Sequence, residues 1–262
     1  MYASAPSLSA AWRRFLEWVT ARSGVAMDVI EHAHPALLDD LWAREDMACV
    51  FMCGYPWALR ERRPRLLAAP VPSPTRYGGR PIYFTDFIVR ADTPFRTLED
   101  TFGSRIAYSV EESHSGYNAA RHHLLAYRTA ARPALYAGTV GPLISQRVVL
   151  DAVLDGRADV APVDSYLLDL WRRHLPDVAA RVRVVATTLP APIPPLVASP
   201  GADDAVCRRV TAALAEAHRA PEIASTLEAL LVSRFEPVDD AAFEVFLERR
   251  SEAERAGYAL LA

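Results

Sequence analysis

The chain has 262 residues, of which 51% are hydrophobic and 23% charged, values typical of a packed globular protein with one large domain or two smaller ones. Its 29 basic and 32 acidic residues give a net charge of −3, and every one of the 29 is arginine. Without lysine, a pyridoxal Schiff base and a phosphate-loop lysine are excluded.

The distribution of charge argues against nucleic acid as a partner, because binding phosphates needs basic residues clustered on one face. Adjacent arginines such as Arg249 and Arg250 are scattered along the chain and flanked by acids, so they are predicted to lie on solvated helix faces. No apolar run reaches the about 18 residues of a membrane span. The N-terminal segment lacks the basic and apolar regions of a secretory signal, so none is expected.

Cysteine and histidine spacing predicts no metal site. The three cysteines, Cys49, Cys53 and Cys207, form no disulfide framework and are expected to be buried structural thiols. His32 and His34 could face one another as a metal pair, but Pro35 favours a solvated turn there instead.

Helical and strand patterns alternate along the chain, which predicts the α/β class. The predicted elements of the first part are a helix over 8–22, a strand over 25–30, a helix over 37–44, a doubly buried parallel-type strand over 47–52 and strands over 66–71 and 81–90. The second part is predicted to hold strands over 105–110, 134–139, 158–163 and 182–188, helices over 115–128, 145–154 and 165–173, and a tail that is helical throughout from 202.

This order of elements predicts two lobes joined by two hinge strands. Residues 1–86 and 189–262 are expected to form lobe one, and residues 87–188 to form lobe two. Each lobe is predicted to contain a mixed, mostly parallel sheet with flanking helices. Two lobes joined by hinge strands are expected to form a cleft that can close on a ligand.

Three strand-to-helix turns of lobe two carry polar residues where ligands bind in open α/β sheets. The first contains Ser113, His114 and Ser115, the second, over 138–147, contains Gln146, and the third contains Asp164. Hydroxyls at a helix start can bind an anion together with backbone N–H groups, but a serine or aspartate there can also be only a helix cap. The single asparagine, Asn118, and the single glutamine, Gln146, fall in or beside these turns.

The order of motifs resembles the phosphate-, phosphite- and phosphonate-binding proteins of ABC transporters, which have the type II periplasmic-binding-protein fold. The resemblance covers roughly residues 45–200 and is carried by the segments 83–95, 98–107, 113–116, 150–165 and 193–197. It implies a non-catalytic protein that binds a small oxyanion, uses no cofactor and has an ABC permease as a possible partner. It also implies a periplasmic location, while the missing signal implies a cytoplasmic relative or a misplaced start.

The resemblance assigns ligand contacts to particular residues. The family's Ser-Thr-Ser-Gly turn corresponds to Ser113, His114 and Ser115, and its closing tyrosines correspond to Tyr55 and Tyr83. Two further helix-opening positions correspond to Gln146 and Asp164. This chain has His114 where the family has threonine and Gln146 where it often has histidine. It also lacks the family's acid near Pro194 and Pro195, so aminoethylphosphonate is not the expected ligand.

Two alternatives keep the fold and change the function. The first is an enzyme in which His114 acts as a base beside Ser113 or Ser115, although no nucleophile elbow and no acid partner are evident. The second is a sensor that signals its liganded state to a protein partner. A neighbouring gene for a permease or for a regulator would separate transport from sensing.

Overall fold

The structure is a computed structural model that describes residues 1–32, 36–258 and 261. The chain divides into two compact units. Unit 1 comprises Met1–Ile82 and Pro192–Phe243, and unit 2 comprises Tyr83–Ala191 and Glu244–Ala262. The sequence-based division placed 244–262 with the first lobe, whereas the structure groups this segment with unit 2.

The helices and strands of the described residues follow the predicted alternation. The helices are α1 (Pro6–Ser23), α2 (Leu38–Trp42), α3 (Gly54–Leu59), α4 (Ala119–Leu124), α5 (Gln146–Leu154), α6 (Ser165–His174), α7 (Pro176–Ala179), α8 (Asp204–Glu216), α9 (Ala224–Ala229) and α10 (Glu244–Arg255). The strands are β1 (Val50–Phe51), β2 (Arg65–Pro72), β3 (Ile82–Tyr83), β4 (Thr85–Arg90), β5 (Arg105–Ala107), β6 (Gly138–Val140), β7 (Val160–Asp164), β8 (Val182–Thr187), β9 (Ala191–Pro192), β10 (Leu196–Ala198) and β11 (Val232–Glu236). None of the helices in the described residues is long and apolar enough to span a membrane.

Unit 1 is built on a sheet with the strand order β1-β10-β2-β11, in which each neighbouring pair is antiparallel. Helix α1 buries a stripe that includes Leu8, Phe15 and Val19. Phe15 stacks on Phe235 of β11 with the ring centroids 5.0 Å apart. The sequence analysis was wrong to make the tail helical throughout, because β11 pairs with β2 and buries Val232 and Phe235.

Two strand predictions in unit 1 are corrected. Residues 25–30 form no strand. The carbonyl of Val29 accepts a hydrogen bond from the Arg13 side chain (3.2 Å), and this segment and β1 line a cavity of about 510 Å³. The predicted strand over 47–52 is reduced to Val50–Phe51, which pairs antiparallel with β10 rather than parallel. A strand pattern forms a strand only where a neighbour can exchange backbone hydrogen bonds.

Unit 2 is built on a sheet with the strand order β6-β5-β7-β4-β8. Strand β5 is parallel to β6 and to β7, whereas β4 is antiparallel to β7 and β8. The α/β class and a mixed sheet are therefore confirmed, but within this sheet of unit 2 parallel pairing is limited to β5 and its two neighbours. Because β5, β6 and β7 run in one direction, the turns that follow them leave the same edge of the sheet.

The C-terminal helix α10 completes unit 2. It buries Phe246, Arg249 and Ala253. Beyond it, Tyr258 and Leu261 join a buried cluster that also contains Ile106. The tail after Glu244 is therefore part of the core that supports the turn after β5.

Candidate ligand-binding site in unit 2

The turn after β5 is organised by Ser113. Its Oγ accepts a hydrogen bond from the backbone N–H of Gly116 (3.0 Å), so Ser113 caps the helical segment that follows. The first helical turn is wide, because the N–H of Asn118 reaches the carbonyl of Ser113 five residues back (3.0 Å). His114, Ser115 and Asn118 are all buried in this turn. Such a concentration of buried polar side chains needs hydrogen-bond partners or a ligand.

Three polar side chains converge on Gly116. A Cβ atom placed on Gly116 would lie 2.1 Å from Ser109 Oγ, 2.8 Å from Gln146 Nε2 and 2.9 Å from Ser113 Oγ. Gly116 is therefore required because the neighbouring side chains leave no room for a Cβ atom, and not because its φ angle needs glycine. We call Ser109, Ser113, Gln146 and the Gly116 backbone the polar cradle.

Ser109 is a residue that the sequence analysis missed. It is 2% exposed, and its Oγ has no hydrogen-bond partner in the described structure. A buried hydroxyl without a partner costs free energy, so it is a sign of a ligand or an ordered water. The available signal was a serine inside the apolar end of a strand, in the run Ala107-Tyr-Ser-Val110.

The other two predicted turns lie beside the cradle. Gln146 begins α5, and its Oε1 accepts a hydrogen bond from the backbone N–H of Asp164 at the end of β7 (3.2 Å). Asp164 is buried and caps α6 by accepting from the N–H of Leu167 (3.0 Å). The structure thus brings Ser113, Gln146 and Asp164 together, with Asp164 in the capping role that the sequence analysis left open.

His114 is turned toward helix α10. Its Nε2 lies 3.2 Å from a terminal nitrogen of Arg249, and its Nδ1 lies 3.3 Å from the amide nitrogen of Asn118. The ring packs against Phe246, with 4.4 Å between centroids, and near Tyr83, at 6.1 Å. Burial, and secondarily the Arg249 charge, hold the pKa of His114 well below its ordinary value, so the ring is neutral.

The contact with Arg249 decides what His114 can do. A guanidinium only donates hydrogen bonds, so the lone pair of His114 Nε2 is engaged by Arg249 and is not directed at a serine. Arg249 itself is 7% exposed, which corrects the expectation that it lies on a solvated face. Its other terminal nitrogen donates to the carbonyl of Pro190 (2.7 Å).

The two predicted tyrosines lie in different units. Tyr83 ends β3 in unit 2 and is buried next to His114. Tyr55 lies in the first turn of α3 in unit 1, where it is also buried. His34 falls outside the described residues, and no group of three or more metal-binding side chains is found among the described ones.

A comparison with protein families adds to this geometry. A model described as "ABC transporter, phosphonate, periplasmic substrate-binding protein" matches residues 2–243. The chain belongs to this family. The resemblance drawn from the motifs is thereby confirmed, and proteins of this periplasmic family bind small ligands for ABC transporters. A search of curated protein sequences finds no significant match.

Solved structures show the same fold. A binding-protein component of an ABC phosphonate transporter from Pseudomonas aeruginosa has a TM-score of 0.79 at 18% identity, with 98% of this chain and 85% of that chain covered. PhnD1 from Prochlorococcus marinus in complex with methylphosphonate has a TM-score of 0.76 at 11% identity, with 95% and 94% covered. A Xanthomonas citri protein bound to ATP has a TM-score of 0.63 at 23% identity, with 96% of each chain covered. The type II periplasmic-binding-protein fold is confirmed.

Proposed function

We propose that this family member binds a small oxyanion of the phosphonate or phosphate class at the polar cradle of unit 2, without chemical conversion. The observation that carries the proposal is the convergence of Ser109 Oγ, Ser113 Oγ and Gln146 Nε2 on Gly116. Hydroxyl and amide groups donate hydrogen bonds to an anion oxygen, and the unpartnered Ser109 hydroxyl has a donor to offer.

The ligands of related proteins support an anion. PhnD1 was solved with methylphosphonate, and the Xanthomonas citri protein was solved with ATP and with chloride. All three of these ligands are anions. An aminophosphonate is less suited to this chain, because the family's carboxylate is absent next to Pro194 and Pro195.

Hinge closure is part of the proposal. The family resemblance assigns one ligand-closing tyrosine to unit 1, Tyr55, and one to unit 2, Tyr83. A ligand that binds both tyrosines favours a closed arrangement by the difference in its affinity for the open and closed states. The liganded protein would then be the form that an ABC permease recognises.

Binding is favoured over catalysis by the position of His114. Its Nε2 lone pair faces Arg249, and its low pKa leaves it a poor base. The nucleophile and base that an acyl-transfer enzyme needs are therefore not paired in this turn.

Isothermal titration of the purified chain tests the proposal. The panel is phosphate, phosphite, methylphosphonate, sulfate and ATP, and we expect at least one to bind with a 1:1 stoichiometry. Ser113→Ala should weaken that binding by about tenfold, because it removes a cradle hydroxyl that also fixes the turn. Asp203→Ala is the control, since Asp203 caps α8 in unit 1 in the same way. Silence of the wild-type protein across the panel would refute the oxyanion proposal.

A further inference from the structure

Helix α10 places a buried cation against the turn that forms the polar cradle. We propose that Arg249 supplies the positive charge that holds the anion in unit 2, so that the site is not made of neutral donors alone. The inference rests on the proposed function, because it assigns a charge to the ligand of that same site.

Arg249 makes no direct ion pair in the described structure, and the carboxylates that act on it from a greater distance are those of Glu248 and Glu252 on its own helix. Arg249 is 7% exposed, and within the described residues no carboxylate lies within ion-pair distance of it. Its two hydrogen-bond acceptors, His114 Nε2 and the Pro190 carbonyl, are neutral groups. Burying a charge without a partner of opposite sign is costly, and an anionic ligand would remove this cost.

The position of Arg249 ties it to the ligand turn. The guanidinium contacts the ring of His114, which lies between Ser113 and Ser115 in sequence. Tyr83 packs near the same ring, with 6.1 Å between the ring centroids of Tyr83 and His114. Every one of these residues belongs to unit 2, so the placement does not depend on any motion of unit 1.

The guanidinium has donors to spare. It carries five N–H groups, of which the contacts with His114 and Pro190 use two. Its Nε makes no hydrogen bond in the described structure and is not fully enclosed by protein atoms. A donor of this kind, open at one side, can reach an oxyanion directly or through water.

The neighbouring arginine provides the contrast. Arg250 lies on the other side of α10, where its Nε donates to Glu254 (2.7 Å), and both side chains are more than 40% exposed. Arg249 and α10 lie beyond residue 243, where the match to the family model ends.

Three variants of the full chain test the inference, each titrated with whichever of phosphate, phosphite, methylphosphonate, sulfate and ATP the wild-type protein binds. Arg249→Gln should weaken binding of whichever anion the wild-type protein takes by about tenfold or more, the loss expected for a charged hydrogen bond. Arg249→Lys keeps the charge and loses the two-pronged geometry, so it should recover most of the affinity. Arg250→Gln should bind as the wild-type protein does. Thermal melts of each variant show whether it is folded at the assay temperature.

The outcomes separate the inference from the function on which it rests. If the wild-type protein binds none of phosphate, phosphite, methylphosphonate, sulfate and ATP, the proposed function fails. If it binds and Arg249→Gln binds equally well, only the charge assignment is overturned. If Arg249→Lys is as weak as Arg249→Gln, Arg249 holds the turn in place and the charge assignment is again overturned. Should Arg249→Gln fail to fold, Arg249→Lys is compared with the wild-type protein instead: affinity within about threefold supports the charge assignment, and a loss of about tenfold or more overturns it.

Discussion

The strand-to-helix junction after β1 in unit 1 and the one after β5 in unit 2 are both buried, but their chemistry is opposite. The first runs through Cys53, Tyr55 and Trp57, and the side chain of Cys53 makes no capping hydrogen bond. The second is capped by the hydroxyl of Ser113 and buries His114 and Asn118. One junction is held by aromatic packing, and the other by hydrogen bonds among polar side chains.

This difference indicates that the junction in unit 2 is the less favourable of the two for stability, as expected if it binds the proposed ligand. Aromatic burial is favourable in itself, whereas buried polar groups at best recover the hydrogen bonds that they lose from water. The second junction also keeps costs that packing would have removed, namely the unpartnered Ser109 hydroxyl and the buried Arg249 guanidinium, which makes no direct ion pair. Substitutions at the two junctions test this difference, because their effects on stability and on binding are expected to differ.

Trp57→Ala should produce the largest loss of stability. The indole is 1% exposed, donates to the Pro64 carbonyl (2.7 Å), and packs on Phe243 with 5.0 Å between ring centroids. The cavity and the lost hydrogen bond should lower the free energy of unfolding by about 3–5 kcal/mol, measured by denaturant unfolding. Trp57→Phe, which keeps an aromatic ring, should lose clearly less. A change below about 1 kcal/mol in Trp57→Ala would contradict the packing account.

Gly116→Ala should have a smaller effect on stability and a larger one on binding. The new methyl group would lie 2.1 Å from Ser109 Oγ, so the cradle must open to accept it. We expect a loss of about 1–3 kcal/mol in unfolding free energy and loss of detectable anion binding by calorimetry. Gly138→Ala is the matched control in the same unit, because a methyl group there meets no atom within 4 Å. Unimpaired binding by Gly116→Ala would show that the cradle is not the site.

The buried histidine predicts a loss of stability in acid. The pKa of His114 is lowered in the folded protein by burial and by Arg249, and that of the half-buried His123 is lowered mainly by burial. The unfolded chain therefore takes up protons first as the pH falls below about 6.5, and stability decreases by up to about 1.4 kcal/mol per pH unit for each group. Above that pH both histidines are neutral in the folded and in the unfolded protein, so they no longer make the stability depend on pH.

Thermal melts of the wild-type protein between about pH 7.5 and pH 5.5 measure this dependence. His114→Gln should reduce the slope, because the variant has no proton to gain at that position. His218→Gln serves as a comparison variant, since His218 is exposed. Equal slopes for the wild-type protein and His114→Gln would mean that His114 is not the buried group responsible.

The strand-to-helix turns of unit 2 could be predicted from the sequence because local sequence signals determine them. Hydroxyl and acidic residues that directly follow an apolar strand run indicated helix starts at Ser113 and Asp164, and the structure has a cap at each. The single glutamine, Gln146, was placed beside them by its position at the next helix start. Because β5, β6 and β7 share a direction, these local features lie at one edge of the sheet.

Contacts between distant segments could not be predicted in this way. Arg249 and Arg250 look alike in the sequence, and only the packing of α10 on the turn decides which is buried. Strand β11 is too short for its alternation to outweigh the helical pattern around it. Segment 25–30 has a strand pattern but no partner strand in the described structure. Each of these cases depends on a tertiary neighbour.

The smallest effect, and the sharpest test of the polar junction, is expected from Ser109→Ala. Removing a buried hydroxyl that has no partner should raise the free energy of unfolding by about 1 kcal/mol. The same substitution should weaken anion binding by about threefold to tenfold, because the cradle loses a donor. Ser104→Ala is the control of opposite sign, since its hydroxyl donates to the Thr101 carbonyl (2.6 Å) and its loss should destabilise the protein without affecting binding. Stability and affinity would then change in opposite directions at Ser109, as expected for a hydroxyl that binds the ligand. If Ser109→Ala is instead destabilised, the Ser109 hydroxyl has a structural role.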